Sequence, residues 1–161
     1  MSDPTDMRKI MAAAKHEARA MGSSRVEAEH LLLALAASSN LAAGQLLSAH
    51  GLNHAAVREA LTLEFAHSLQ AVGIRVDDFS LPAEGLPLTV DFRLTSSTKL
   101  ALQRAMKART GRGRGRRLES LHLLLGLLSA NVGTVPRALE AAGVDREALT
   151  AAARATPDRA A

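Results

Sequence analysis

The string VEAEHLLLALA at residues 26–36 recurs with few changes as LESLHLLLGLL at residues 118–128. Both strings are apolar on almost every side, which is typical of a helix buried at the centre of a core. His30 in the first string stands opposite His122 in the second. A second pair of similar stretches follows, QLLSAHGLNHAAVREAL and RALEAAGVDREALTAAA. The sequence therefore predicts one helical unit present twice, an arrangement common among scaffolds and binding proteins.

Residues that favour turns and helix caps divide each copy into four helices. Gly22 predicts the end of the first helix, and the second helix is expected over residues 26–38. The fourth helix is expected to bury a face that holds Val57, Leu61 and Phe65. The residues predicted to cap or start the other helices are Asp3, Asn40, Asn53, Ser96 or Thr98, Thr134 and Asp145.

The duplication defines the predicted fold and its parts. We expect an all-α fold in which two pseudo-symmetric four-helix repeats, about eight helices in all, pack as one domain. The first repeat covers residues 1–70 and the second covers residues 94–156. Residues 71–93 contain prolines and glycines and form an ordered linker, which could include a short strand or one helical turn. Residues 157–161 are expected to be a disordered tail.

The composition supports a helical protein and excludes several functional classes. Of the 161 residues 47% are hydrophobic, but only three are Phe and none is Trp or Tyr. Ala and Leu favour helices, whereas aromatic and β-branched residues favour strands. The sequence has no cysteine, which excludes disulfides and thiolate metal sites. It has no apolar run near the ~20 residues of a membrane span and no signal-peptide core, so we expect a cytoplasmic protein without a membrane partner.

Positive charge is concentrated in one stretch, KARTGRGRGRR at residues 107–117. The net charge is +4, and the rest of the chain is close to balanced. This distribution argues against nucleic acid as the main partner, since a nucleic-acid-binding protein more often has a whole basic face. The loop is interpreted first as a solvated turn. If it is functional, its arginines would dock an acidic partner or phosphates, and these are Arg112, Arg114, Arg116 and Arg117.

Several strings carry a resemblance to a known family. The first copy contains AKHEARAMG at residues 14–22 and EHLLLAL at residues 29–35. The second copy contains HLLLGL at residues 122–127 and ALEAAG at residues 138–143. Their order resembles the Clp N-terminal repeat. The linker, which begins AVGIRVDDF, is similar to that of stand-alone actinobacterial proteins of this family, which are related to the N-domain of the ClpC-type unfoldase.

The resemblance implies an all-α module that recruits substrates and adaptors for the Clp protease. In that family the repeats sit at the front of AAA+ unfoldases. The present sequence has no G-x-x-x-x-G-K-[ST] phosphate loop, so it resembles the recruiting domain without its motor. The implied partners are a Clp unfoldase, its substrates or adaptors, and a cyclic-peptide antibiotic such as cyclomarin. No cofactor and no metal ion are expected.

The resemblance also implies a site for phosphorylated arginine, although only in part. In the family a carboxylate at the start of the second helix holds the guanidinium, and residues at the start of the first helix face the phosphate. Glu29 matches the carboxylate, Thr5 lies next to the first phosphate position, and Arg93 occupies the second. Leu121 replaces the carboxylate in the second repeat. We therefore expect at least the second phosphoarginine pocket to be absent.

A groove for peptides or antibiotics is implied between the first helices of the two repeats. Phe92 is its most informative residue, because an aromatic side chain before a helix can anchor a peptide or pack across the repeat junction. The residues at the matching positions are Arg8, Met11, Lys15, Phe92, Leu100 and Ala101.

Each candidate also has a structural interpretation. His30 and His122 open apolar helices, where a capping or buried histidine is expected rather than a metal ligand. Glu29 lies in a first helical turn, where an acidic group stabilises the helix dipole by roughly 0.3–1 kcal/mol. Met11 and the other methionines of the first helix are expected mostly in the core.

The sequence gives no support to a catalytic function. It contains no G-x-S-x-G nucleophile motif, no H-E-x-x-H motif and no paired-carboxylate signature. Two functions without catalysis remain. In the first, the protein binds substrates, adaptors or cyclic peptides, and so modulates Clp-dependent proteolysis or sequesters its ligands. In the second, a basic helical protein binds nucleic acid or an acidic regulator through residues 109–117.

Overall fold

The computed structural model describes residues 4–75, 77, 92–110 and 118–156. These residues form eight α-helices and two strands of two residues each, which confirms the predicted all-α fold. The elements in chain order are α1 (Pro4–Ala20), β1 (Arg25–Val26), α2 (Ala28–Ala37), α3 (Ala42–Ala49), α4 (His54–Ala71), β2 (Arg93–Leu94), α5 (Ser96–Thr110), α6 (Ser120–Leu128), α7 (Thr134–Ala141) and α8 (Arg146–Ala155).

Helices α2 and α6 form the centre of the core. Every residue of α6 is buried, and α2 is buried from His30 to Leu35. Helix α1 packs against α2, and α5 packs against α6. The two strings that decide the fold therefore occupy equivalent central positions, where their apolar side chains are removed from water on all sides.

Each central helix begins with a histidine cap. The backbone N–H of Glu27 donates to Nδ1 of His30 at 2.9 Å, and the N–H of Glu119 donates to Nδ1 of His122 at 3.1 Å. Both imidazole rings are buried, and burial lowers the pKa of His30. The structural interpretation of these two histidines is confirmed, because each ring accepts a bond from a backbone donor at the start of its helix.

The chain just before α2 is a strand, where the sequence predicted a helix. Strand β1 pairs in parallel with β2. The hydroxyl of Thr98 donates to the carbonyl oxygen of Val26 at 2.6 Å, and the backbone N–H of Thr95 donates to the same oxygen at 3.1 Å. These bonds fix Val26 in extended chain, so the prediction that α2 starts there is wrong. The predicted linker ends in one short strand, and its residues 76 and 78–91 lie outside the described part, as does the predicted tail at residues 157–161.

The predicted helix caps are correct at two positions and wrong at two others, the predicted helix start at Ser96 is confirmed, and Asp3 lies outside the described residues. The side chains of Asn53 and Asp145 cap α4 and α8, each accepting a bond from the backbone N–H three residues on. Helix α3 begins one residue later than a cap at Asn40 would place it. Thr134 is the first residue of α7 rather than its cap. The cap position belongs to Gly133, whose φ of +113° is one that side chains disfavour.

An ion pair between a buried carboxylate and a half-exposed arginine joins the two repeats. Glu64 of α4 is 6% exposed, and Nε of Arg137 on α7 lies 2.7 Å from its carboxylate. The hydroxyl of Ser68 donates to the same carboxylate oxygen at 2.6 Å. The predicted place of Phe65 on the buried face of α4 is wrong, since Phe65 is 46% exposed. With 3.6 residues per turn, the face that includes Leu61 continues at position 64 instead.

Candidate functional site

A groove of about 740 Å³ lies where the two repeats meet. Its walls are the β1–β2 ribbon, the first turn of α2, the first half of α5 and the connection between α6 and α7. The volume lies within the range of ~300–1,000 Å³ that is usual for ligand-binding clefts. The groove is therefore the first place to compare with the predicted site residues.

The floor of the groove is made by a close approach of α5 to α6. Ala101 is buried, and a Cβ at Gly126 would collide with its carbonyl oxygen and lie 2.8 Å from the backbone nitrogen of Ala105. Two aliphatic side chains stand at the rim, Leu100 on α5 and Val132 in the α6–α7 connection. Leu100 is 45% exposed and Val132 is 86% exposed. Exposed apolar groups on a concave surface are typical of a site that binds another chain.

Four basic residues also line the groove, and two of them lie next to each other on neighbouring strands. Arg25 and Arg93 are register partners in the parallel ribbon, and both are exposed while the next residue of each strand is turned inward. Lys99 and Arg104 extend the positive charge along α5. Within the described part of the chain, none of the four forms an ion pair with an acidic residue.

Glu27 and Glu29 bring two carboxyl groups to the same groove. The pKa of Glu29 is raised to about 8, chiefly by burial, then by a hydrogen bond with Glu27 and by the charges of Glu27 and Glu64. The Glu29 carboxyl is therefore mostly protonated at neutral pH. Because four cations face at most two carboxylates, one of them largely neutral, the groove carries net positive charge.

Hydroxyl groups at the start of α5 hold the start of α2 in place. Ser97 Oγ accepts a bond from the backbone N–H of Ala28 at 3.2 Å, and it lies 2.9 Å from Thr95 Oγ1. These bonds run between the two repeats. They fix Glu29 on α2 relative to the basic residues of α5, so the charged wall of the groove is rigidly built.

The structure brings together four of the predicted site residues. Leu100 and Ala101, predicted for a peptide groove, line the same cavity as Glu29 and Arg93, predicted for phosphoarginine. Glu29 belongs to the first repeat and Arg93 directly precedes the second, so they meet only across the repeat junction. Thr5 lies in α1, and its side chain is outside the described part of the structure.

The other residues predicted for the peptide groove lie on or near α1. Arg8 and Lys15 are exposed, and Met11 is half-buried against the core. Phe92 is also half-buried against the core, and the Arg19 guanidinium lies 5.3 Å from the centre of its ring, as in a cation–π contact. None of these side chains is among those that line the 740 Å³ groove.

Two further predictions concern the second repeat. The basic loop with Arg112, Arg114, Arg116 and Arg117 lies outside the described residues. Leu121, at the position of the second carboxylate, is 2% exposed and packs in the core.

Sequence reasoning missed several residues of the groove. Arg25 belongs to a strand of two residues whose partner is far along the chain, so no local pattern could reveal the pairing. From the sequence alone, Lys99 and Arg104 are indistinguishable from other basic residues on the surface of a helix. Val132 could have been noticed in the sequence, because an aliphatic residue in a turn between Asn131 and Gly133 is not needed for a core.

The described residues contain no metal cluster, since no group of three or more His, Cys, Asp or Glu side chains among them could hold an ion. They also contain no single helix that is long and apolar enough to cross a membrane. Helices α2 and α3 meet that criterion of length and composition only as a pair, and they are bent by 89° with respect to each other.

Comparison with known proteins identifies one family. The family model of the Clp repeat (R) N-terminal domain matches residues 4–84. The N-terminal domain of the caseinolytic protease associated chaperone ClpD from Arabidopsis thaliana superposes with a TM-score of 0.64 at 25% identity, covering 91% of each chain. The Hsp104 N-terminal domain from Candida albicans superposes with a TM-score of 0.63 at 17% identity, covering 92% of this chain and 87% of the other. No curated protein sequence matches significantly.

Proposed function

This chain belongs to the Clp repeat N-terminal domain family, and we propose that it is a non-catalytic module that binds segments of other proteins in the groove between its repeats. Proteins with such domains recruit substrates and adaptors for Clp unfoldases. By occupying the same ligands or the same unfoldase, this module modulates Clp-dependent proteolysis or sequesters its peptide ligands. The observation that carries the proposal is the groove itself, with exposed Leu100 and Val132 beside four basic residues that form no ion pair within the described part of the chain.

The balance of apolar and polar groups supports a peptide ligand. Burying an aliphatic side chain contributes about 1.5–3 kcal/mol, and in this groove Leu100 and Val132 are still available for such burial. Basic side chains at the rim add orientation, as polar groups do around apolar anchors in peptide sites. An extended segment of an unfolded client or adaptor would use both kinds of contact.

The ligands that the sequence resemblance implies remain part of this proposal. A phosphoarginine would place its guanidinium at Glu29 and its phosphate near Arg93, which would make one such site built from both repeats rather than one in each. Ionised Glu29 would be needed to bind the guanidinium, and its raised pKa opposes this at neutral pH. A cyclic peptide bound at α1 would contact the exposed side chains of Arg8 and Lys15, which do not line this groove.

The proposal is tested with two matched valine variants. Val132→Asn places a polar group at the rim of the groove, whereas Val72→Asn makes the same change at a valine that is 69% exposed at the end of α4 and does not line it. Binding of a fluorescently labelled, permanently unfolded protein is measured by anisotropy. We expect Val132→Asn to weaken it about tenfold and Val72→Asn to leave it unchanged. Equal affinities for both variants would refute the groove as the site.

A further inference from the structure

Two like charges stand side by side on the ribbon that forms one wall of the groove. Arg25 and Arg93 are direct register partners, and neighbouring strands lie about 4.8 Å apart. Register partners project from the same face of a ribbon, and both arginines are exposed. Their positive charges therefore add on this wall of the groove, where they would stabilise a bound anion.

The described part of the protein does not supply such an anion. Neither arginine has an ion-pair partner there. Glu29, which lines the same groove, is mostly protonated at neutral pH and bonds with Glu27. With respect to residues 4–75, 77, 92–110 and 118–156, the two guanidinium groups therefore have no acidic partner and can pair with an anion from another molecule.

The start of α5 adds to the same positive field. Its first turn contains no acidic residue and instead contains Lys99, although a cation near a helix N-terminus opposes the helix dipole. The first turns of α2 and α8, by contrast, contain Glu29 and Glu147. Arg104 lies further along α5 in the same wall. Four basic groups and an uncompensated helix start thus converge on one side of the groove.

We propose that the groove selects an extended peptide with an anionic side chain, which Arg25 and Arg93 hold together, next to an apolar side chain that packs on Leu100 and Val132. The inference rests on the proposed function and narrows its ligand class. A guanidinium pair matches the two oxygens of a carboxylate or of a phosphate, so the anionic side chain is either acidic or phosphorylated. The apolar half of the groove sets the requirement for a neighbouring aliphatic residue.

The groove favours a peptide over a nucleic acid. Proteins that bind single strands stack bases on aromatic side chains, and neither of the two phenylalanines in the described residues, Phe65 and Phe92, lines the groove. Exposed aliphatic residues, which a base or a phosphate does not require, occupy the rim instead.

The test compares three peptides that are identical except at one position, which holds Glu, phosphoserine or Gln beside a leucine. Anisotropy is measured with the wild-type chain and with the double variant Arg25→Gln/Arg93→Gln. Arg154→Gln, which changes an exposed arginine on α8 away from the groove, is the control. We expect the wild-type chain to bind at least one anionic peptide about tenfold more tightly than the Gln peptide. The double variant should lose this preference, and added salt should reduce it.

Each outcome has a defined meaning. Preference for both anionic peptides, or for one of them, supports the inference and identifies carboxylate, phosphate or both as the recognised group. Equal binding of all three peptides, still weakened by Val132→Asn, overturns the inference and leaves the proposed function intact. Failure of every peptide to bind overturns both. Tighter binding of an oligonucleotide than of any peptide, lost in the double arginine variant, overturns the inference in favour of nucleic acid.

Discussion

Replacing Glu29 with Gln should make the protein more stable at high pH. The pKa of Glu29 is raised from 4.5 to about 8 in the folded chain. Below about pH 4.5 the carboxyl is protonated in both the folded and the unfolded chain. Between these two values the unfolded chain loses the proton and the folded chain keeps it, so stability falls as the pH rises. Gln keeps the shape and donor ability of the protonated acid but cannot ionise.

The size of the effect follows from the two pKa values. One pKa unit corresponds to about 1.4 kcal/mol, so the loss of stability across this window is at most about 5 kcal/mol. Glu29 is half-buried and shares its surroundings with Glu27, which relaxes part of the penalty. We therefore expect Glu29→Gln to match the wild type within about 1 kcal/mol near pH 5 and to exceed its free energy of unfolding by about 2–4 kcal/mol near pH 9.

The assay is urea denaturation of the wild type and the variant over a series of pH values, followed by circular dichroism. Other titrating groups cancel in the difference between the two proteins. Glu147→Gln is the control, since it makes the same change at an exposed acidic residue in the first turn of α8, and it should not reproduce the gain in stability towards high pH that is expected for Glu29→Gln. A difference for Glu29→Gln that is equally independent of pH would refute the assigned protonation of Glu29.

Two stability predictions follow from the packing between elements. Gly126→Ala should lower the free energy of unfolding by about 1–3 kcal/mol, because the added Cβ would push α5 away at Ala101. This loss should exceed the gain from alanine being the better helix former. A variant that is more stable than the wild type in urea would contradict this prediction. Arg137→Ala should lower it by about 1–3 kcal/mol, since buried Glu64 loses its charged partner. Arg154→Ala is the control and should change the free energy of unfolding by less than about 0.5 kcal/mol. Equal effects of Arg137→Ala and Arg154→Ala would contradict a stabilising ion pair.

The helical repeat could be predicted from the sequence because its signals are local. The apolar strings around His30 and His122 determine which helices are buried, and caps such as Asn53 act within three residues of their helix. Two-residue strands give no such signal. The strand at Val26 depends on hydrogen bonds from Thr95 and Thr98, which are distant in sequence, so its residues read as the start of a helix.

The candidate site was harder to predict for the same reason. Glu29 and Arg93 could be selected individually by resemblance, but their meeting in one groove depends on how the repeats pack. Arg25 becomes a candidate site residue only because the fold places it opposite Arg93. Glu64 was missed because an acidic residue on a helix is expected at the surface. Its burial is tolerated because Arg137 of the other repeat pairs with its carboxylate.

Divergence between the repeats favours a single binding site per chain. The position of Glu29 in α2 corresponds to Leu121 in α6, and the leucine lies in the core while the glutamate lines the groove. The position of Gly126 in α6 corresponds to Ala34 in α2, and only the glycine permits the close approach of α5 that forms the groove floor. Each repeat has therefore kept the apolar pattern that folds it and contributes a different wall to one shared groove. A ligand that needs Arg25 or Glu29 of the first repeat together with the apolar rim of the second can bind this chain only once.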